Sequence, residues 1–302
     1  MMKMRYVAIA ESDIGIARDI NQDSVLIKHA TYGSNEVLMA IVCDGMGGLS
    51  RGEIASATVI REFEKWFIKE LPFELKKIDM NVIGYKWSLL LRSLNISIRE
   101  YVQKFSERLG TTFTGTLFIN NQFVVVHVGD TRLYHIDTSL KQMTNDHTYV
   151  AREILKGTLT PEQANTDKHR NMLLQCIGAS KTVEPQIICG EVKQGIYMLC
   201  SDGFRHKVTE EELIDSLTPQ KLKNKRIMIK NSKQLIKLIK QRGEKDNISV
   251  IVIKSYFGEN SEVKIKLSFI EKMINSKTRA YLLATGLLTV SIAIFVIGLL
   301  CM

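Results

Sequence analysis

The 302-residue chain is 45% hydrophobic and 24% charged, and its four prolines and 19 glycines leave little scope for long disordered linkers. That composition suits one or two globular domains with a large core and excludes repeat and low-complexity architectures. The five cysteines (Cys43, Cys176, Cys189, Cys200, Cys301) form no CxxC pair and no cleavable signal peptide is visible, so a reduced, cytosolic globular part is expected.

Taken in chain order, β-branched and apolar runs predict strands at 6–10, 24–30, 36–44, 111–120, 122–130, 131–137, 196–202 and 247–256. Several adjoin through short turns such as Asn120-Asn121. Helical patterns lie at 52–70, 84–107, 150–156, 210–217 and 231–242. In the second of these, Leu90, Leu91, Leu94, Ile98, Tyr101 and Val102 make one apolar stripe. Strand runs interrupted by a pair of helices favour antiparallel sheets with helices outside them, an α+β class, over a regularly alternating parallel sheet.

The net charge of +9 has an address. Residues 221–245 hold ten Lys or Arg and one Glu, which equals the whole net charge. Within this run Leu235, Ile236, Leu238 and Ile239 recur at helical spacing, with Asn231 or Ser232 as the expected cap and Gly243 as the stop. The run reads as a surface helix with a solvated basic face or, more sharply, as a contact with anionic lipid. Nucleic acid is not an expected partner, because no aromatic residues interleave with the lysines.

Residues 280–302, AYLLATGLLTVSIAIFVIGLLCM, carry no charge over 23 positions. About 20 apolar residues span a bilayer, so a transmembrane tail anchor is expected here. Lys277 and Arg279 precede it and place the large N-terminal part on the cytoplasmic side. The expected layout is a globular domain over 1–256, a juxtamembrane linker over 257–279 and the anchor over 280–302, giving a single-pass membrane protein.

Carboxylates recur at the strand edges. Asp44, Asp130 and Asp202 end three predicted strands, and Asp23 and Asp246 precede two more. Any one of them alone is a turn residue. As a set they are the oxygen ligands that hard divalent cations need. Asp44 is suited to bridge two ions, and the Gly45 carbonyl, with no Cβ beside it, to bind one. Gly47 and Gly48 would keep the mouth open, and Ala55, Ser56 and Ala57 would let a helix pack closely on the sheet.

The ordered stretches RDINQDS (18–24), VCDGMGG (42–48), GTTFTGTL (110–117), VVHVGDTRLY (125–134), TNDHT (144–148), LLQCIGAS (173–180), LCSDGF (199–204) and DNISVIVI (246–253) cover about 250 residues. Together they resemble the metal-dependent serine/threonine protein phosphatases of the PP2C (PPM) type, in their bacterial branch. The resemblance implies a four-layer αββα sandwich, two antiparallel sheets face to face with helices outside. It implies that Asp44 bridges both ions with help from the Gly45 carbonyl. Asp202 and Asp246 would hold the other ion, Asp130 with Asp202 a third, weaker one, and Asp23 metal-bound water. Arg18 would grip the substrate phosphate, as an arginine fork suits phosphate oxygens. Mn²⁺ or Mg²⁺ fits the oxygen donors. The implied reaction is hydrolysis of phosphoserine or phosphothreonine by direct attack of a metal-bridging water. The implied partners are phosphorylated proteins, with a Ser/Thr kinase and its substrates by family analogy.

The chain departs from animal-type members at Gln22, where they carry Glu, and at Met46, where they carry a His proposed as general acid. His147 is read as a loop-ordering residue rather than a substitute acid, and 149–171 matches the flap that borders the site in bacterial members. A cysteine phosphatase is disfavoured: Arg205 follows Cys200 by five residues rather than six, and Asp202 between them opposes a thiolate. GTTFTGTL lacks the Gly-Lys-Ser/Thr ending of a nucleotide-binding P-loop. The rival of another class is a membrane-tethered pseudophosphatase serving as a phosphoprotein scaffold, whose mark would be lost metal ligands; Asp44, Asp202 and Asp246 are all present.

Overall fold

Twelve strands and eight helices appear in the computed structural model, which describes residues 3–46, 51–105 and 109–258. The strands are β1 (Lys3–Asp13), β2 (Ser24–Tyr32), β3 (Asn35–Cys43), β4 (Gly45–Met46), β5 (Gly110–Thr111), β6 (Phe113–Ile119), β7 (Gln122–Val128), β8 (Arg132–Ile136), β9 (Leu140–Gln142), β10 (Gln186–Glu191), β11 (Gly195–Cys200) and β12 (Ile248–Gly258). The helices are α1 (Gly52–Lys69), α2 (Leu71–Glu74), α3 (Met80–Phe105), α4 (Tyr149–Leu155), α5 (Pro161–Thr166), α6 (Asp202–Arg205), α7 (Glu210–Leu217) and α8 (Lys225–Gln241).

Two five-stranded antiparallel sheets form, in the orders β1-β12-β11-β8-β9 and β10-β7-β6-β3-β2, and a small ribbon pairs β4 with β5. Three apolar clusters give the layering. One fills the space between the sheets, with Tyr6, Leu38, Phe118, Tyr197 and Ile251 buried in it. A second packs β3, β6 and β7 against α1 and α3 through Phe63, Ile83, Trp87 and Leu91. The third packs β11 and β12 against α6, α7 and α8 through Phe204, Leu217, Met228 and Ile239. Strands β3, β6, β11 and β12 are therefore covered on both faces, which is why β3, β11 and most of β12 read as continuous apolar runs rather than as alternating ones. The αββα sandwich of the sequence reading is the fold observed.

Each predicted strand and helix is present, with shifted ends. The β6–β7 hairpin closes through Asn120-Asn121, where Asn120 takes φ 55°, a left-handed conformation that Asn tolerates in two-residue hairpin turns. Helix α3 starts at Met80, so Ile83 and Trp87 extend the apolar stripe by two turns. Helix α8 corrects the expected start. Its cap is Asn224, whose Oδ1 accepts from Ile227 N–H at 3.0 Å, and Asn231 and Ser232 lie inside the helix. Gly243 follows its end with φ 79°, as a stop should. Ala55 and Ser56 are buried against the sheet, but Ala57 is exposed and does not contribute to the close packing. Strands β9 and β10 and helices α2, α5 and α6 are not apparent in the sequence pattern.

Residues Met2–Gly258 form one compact unit. Strand β12 continues two residues past the expected domain end at 256. Among the described residues no helix is long and apolar enough to cross a membrane. The anchor expected at 280–302, most of the linker before it, and Gly47 and Gly48 lie outside the described residues.

Candidate active site

The five predicted carboxylates do come together, at one end of the sandwich. Asp23 precedes β2, Asp44 follows β3 and Asp130 follows β7, all in one sheet; Asp202 follows β11 and Asp246 precedes β12 in the other. Each is thus set by a strand whose apolar side chains fix its register, and the two sheets close on the cluster from either side.

The turn carrying Asp44 is pinned through its backbone. Asp44 N–H donates to Thr112 Oγ1 at 2.9 Å, and its carbonyl accepts from Thr112 N–H at 2.9 Å and Thr111 Oγ1 at 3.0 Å. With the main chain so occupied, the carboxylate is left for other partners. The glycines after Asp44 and Asp202 serve a purpose that the sequence reading missed. A Cβ on Gly45 would lie 2.3 Å from Gln22 O and 2.6 Å from Gly52 O. One on Gly203 would lie 2.1 Å from Asn247 O. Both positions let backbone pass against backbone, so helix α1 and the start of β12 approach the acidic turns as closely as a main chain allows. The Gln22 side-chain amide lies in one of these seams; with its oxygen and nitrogen exchanged it donates to Gly45 O and accepts from Gly52 N–H, each at 3.2 Å. In that orientation the Gly45 carbonyl accepts one hydrogen bond.

Electrostatics mark the cluster. Burial raises the Asp44 pKa well above its ordinary value, and the neighbouring carboxylates Asp23, Asp202, Asp130 and Asp246 add to the rise. Asp23 is pushed up to about 7, by burial first; hydrogen bonds from Ser249 and Ser201 pull it back, and Asp202 and Asp246 push it further. Asp130 is also pushed up to about 7, by burial and then by Asp202, against the pull of Arg205 and Arg132. Asp23 Oδ2 and Asp202 Oδ1 are buried with no hydrogen-bond partner. Buried, mutually repelling and under-bonded oxygens are what a bound dication corrects, since its charge inverts the local pKa logic. The donor set is entirely oxygen and so fits a hard cation. As the side chains stand, no three His, Cys, Asp or Glu among the described residues converge tightly enough to enclose an ion.

Arg18 is one reason. Its Nε and Nη2 fork onto both oxygens of Asp246, at 3.0 and 2.9 Å, so the predicted phosphate-gripping arginine sits on a predicted metal ligand. The pair is half-exposed, with side-chain exposures of 51% and 38%, so it is free to exchange partners. Asn247 holds the loop that carries Arg18: its Oδ1 accepts from Gln22 N–H at 2.8 Å, and its Nδ2 donates to Ile14 O at 2.9 Å and Ile20 O at 3.2 Å.

A second charged group escaped the sequence reading. Arg132 forks onto Asp146, with Nη2 to Oδ2 at 2.7 Å and Nε to Oδ1 at 2.8 Å. Arg205 Nη2 lies 3.8 Å from both Asp146 Oδ2 and Asp130 Oδ2. The signal available was a charged residue inside the run TRLYHID and an acidic one in TNDHT. His147 orders its loop, as expected: its Nδ1 accepts from Gly129 N–H at 3.3 Å, its N–H donates to Gly129 O at 2.7 Å, and its ring lies 4.8 Å from that of His127.

From Asp130 and Asp202 a groove of about 1050 Å³ opens, walled by α4, α5 and the segment leading into α7, with Ile154, Arg170, Lys207 and Glu244 along it. The segment matched to the flap, 149–171, contributes Val150, Ile154, Ala164 and Arg170 to its lining. The rival chemistries find no support here. Cys200 is fully buried and its thiol is pushed up to about 12 by that burial, away from a thiolate. GTTFTGTL is extended, as β5 and β6, rather than a loop leading into a helix.

The protein phosphatase 2C family profile matches residues 17–240. The chain belongs to this family. It is 32% identical over 254 residues to the serine/threonine protein phosphatase PstP of Mycobacterium tuberculosis, a match that covers 82% of this chain and 44% of that protein. The chain thus spans less than half the length of that relative. Among solved structures, serine/threonine phosphatase Stp1 from Staphylococcus aureus superposes with TM-score 0.71 at 28% identity, covering 82% of this chain and 94% of that one. The catalytic domain of PstP, solved in complex with two manganese ions, superposes with TM-score 0.66 at 30% identity, covering 84% of this chain and 99% of that one. The matched residues run from just before β2 into α8.

Proposed function

We propose that the chain is a metal-dependent protein serine/threonine phosphatase. The observation that carries this reading is the ring of five carboxylates at the strand ends, with Asp23 Oδ2 and Asp202 Oδ1 buried and unpaired. Asp44, Asp202 and Asp246 with the Gly45 carbonyl would hold two Mn²⁺ or Mg²⁺ ions, and Asp130 with Asp202 a third. When bound, such a pair supplies an activated water and neutralises charge on the phosphoryl oxygens. The residues of the chain do the remainder. Asp44 is held by Thr111 and Thr112 so that its carboxylate enters the site in one orientation. Asp23, behind it, orients the attacking water through its free Oδ2. Arg18 leaves Asp246 and forks onto the substrate phosphate. Phosphoserine or phosphothreonine is then hydrolysed in one step, without a phosphoenzyme.

Retention of the whole ligand set speaks against a pseudophosphatase scaffold. The direct test is hydrolysis of a chromogenic aryl phosphate and a phosphothreonine peptide with and without Mn²⁺. Lack of turnover under every divalent ion would sink the enzymatic reading.

The uncharged stretch 280–302, with Lys277 and Arg279 before it, supports a cytoplasmic domain tethered to a membrane. Its substrates would then include phosphorylated membrane proteins, among them a Ser/Thr kinase and its targets. Fractionation with protease protection of the full-length chain tests this; recovery in the soluble fraction, or digestion of the domain from the outer face, would overturn it.

A further inference from the structure

The outer face of α8 presents a second charged region, which the catalytic reading leaves unused. Residues three and four apart share a helix face. Arg226, Lys230, Lys233 and Lys237 follow that spacing and are all exposed. The opposite face, Met228, Ser232, Leu235, Ile236 and Ile239, is buried against the sheet. The helix holds no acidic residue in its 17 positions. It is about 25 Å long at 1.5 Å per residue, and the exposed Lys221 and Lys223 extend the row past its N-terminus. Neighbouring elements neutralise part of the run: Lys240 bonds Asp13 at 2.8 Å, Arg242 past the helix end bonds Glu212 at 2.5 Å, and mid-helix Lys233 lies 3.9 Å from Glu11. Arg226, Lys230 and Lys237 make no ion pair among the described residues.

We infer that this stripe is a docking surface for an anionic lipid bilayer. Stability does not explain it. Exposed charges of one sign along a helix repel one another, and glutamates at intervening positions would serve solubility better. The stripe has no aromatic residue with which to stack bases, and Ile229 beside it is half-buried against the core, so it suits a diffuse negative surface rather than a shaped partner. Residues 280–302 supply the reason to choose lipid among polyanions; that choice rests on the tethered reading above, whereas the stripe itself does not. A lone tether holds a domain near a bilayer, and a basic patch supplies the second, reversible attachment that orients it.

The test uses residues 2–258, which form a compact unit and contain the residues matched by the family profile. Co-sedimentation is measured with vesicles of phosphatidylcholine alone and of phosphatidylcholine with phosphatidylglycerol. Binding is expected on the charged vesicles only and should weaken with added salt, as the screening length shrinks to about 10 Å at 0.1 M. Each basic residue at such a surface is worth about fivefold in affinity, so the triple variant Arg226→Gln, Lys230→Gln, Lys237→Gln should bind roughly a hundredfold more weakly. Its Mn²⁺-dependent hydrolysis of an aryl phosphate should be unchanged, which shows that it is folded. Equal retention of the variant and the parent on charged vesicles would overturn the inference. So would capture by duplex DNA or polyglutamate without retention on charged vesicles. Because the fragment lacks 280–302, a soluble full-length chain would refute the anchor and leave this measurement standing.

Discussion

Two like-charged clusters in this domain have opposite physical settings. The carboxylates at the strand ends are buried, repel one another and leave oxygens without partners. The lysines of α8 are exposed and stand in solvent that screens them. The first arrangement costs folding free energy and persists because a ligand corrects it. The second costs little and could be lost without harm to the fold. Charge density alone therefore says little about a site; burial and unmet hydrogen bonding separate a site that needs an ion from a surface that tolerates one.

The largest effect that would test this contrast is on Asp44. Replacing it with Asn removes the bridging charge. Turnover should fall by roughly a thousandfold or more if several kcal/mol of metal stabilisation is lost at 1.36 kcal/mol per decade. The same change relieves repulsion, so the metal-free variant should melt at a higher temperature than the metal-free parent. Full Mn²⁺-dependent activity of Asp44→Asn would end the two-metal reading.

Metal removal is next in size, and its pH dependence has a definite sign. Asp23 and Asp130 are pushed up to about 7 in the folded state from an ordinary 3.8. Between those values the folded, metal-free protein binds more protons than the unfolded chain, so its stability falls as pH rises from about 4 to about 7. Chelator-treated protein should thus be more stable at pH 5 than at pH 8. The gain in melting temperature on adding Mn²⁺ should be larger at pH 8, by the equivalent of a few kcal/mol. Scanning calorimetry at the two pH values decides it; a metal effect independent of pH would mean that the carboxylates are not the ligands.

Arg18→Ala tests whether the clasp on Asp246 is a resting position. If Arg18 grips phosphate, the Michaelis constant should rise by about 10- to 150-fold, from 1.5–3 kcal/mol for a lost charged hydrogen bond. The Mn²⁺ concentration for half-activation should fall, because Asp246 is released. A shift in metal dependence with an unchanged Michaelis constant would confine Arg18 to holding Asp246.

Gly203→Ala addresses the seam between the acidic turns. Its Cβ would meet Asn247 O at 2.1 Å, so backbone must move, at a cost of about 1–3 kcal/mol. Activity should fall with stability, as the turn carries Asp202; a melting temperature equal to that of the parent would remove the close approach from the account. Smallest of all, Lys237→Gln on α8 should change stability by no more than about 0.5 kcal/mol, measured by denaturant titration. A larger loss would make the basic face structural.

The sequence showed the strands because β3, β11 and most of β12 are apolar on both faces, and it showed the carboxylates because each sits at an edge of a predicted strand. It misplaced the start of α8 because Asn231 and Ser232, which suit a cap, lie inside the helix, whereas the cap that forms is Asn224, seven residues before Asn231. It missed β10, an edge strand interrupted by Cys189 and Gly190, whose strand character comes from pairing with β7. The Arg18–Asp246 clasp joins residues 228 apart in sequence and the Arg132–Asp146 fork residues 14 apart. Neither follows from local pattern, since each depends on how the sheets bring distant loops together. The role of the Asp-Gly glycines was legible as a need for space, but what fills the space is backbone from elsewhere in the fold.

The clasp has a thermodynamic consequence. One guanidinium cannot fork onto Asp246 and onto a phosphate at once, and Asp246 cannot give both oxygens to Arg18 and also bind an ion. With Arg18 on phosphate and Asp246 on an ion as proposed, metal and phosphate would each favour the conformer that the other uses, and their binding should be cooperative. By linkage the coupling is reciprocal: the factor by which Mn²⁺ tightens phosphate equals the factor by which phosphate tightens Mn²⁺. Calorimetric titration of each ligand at fixed concentrations of the other measures both factors. Arg18→Ala should bring the part of the coupling that runs through the clasp to zero.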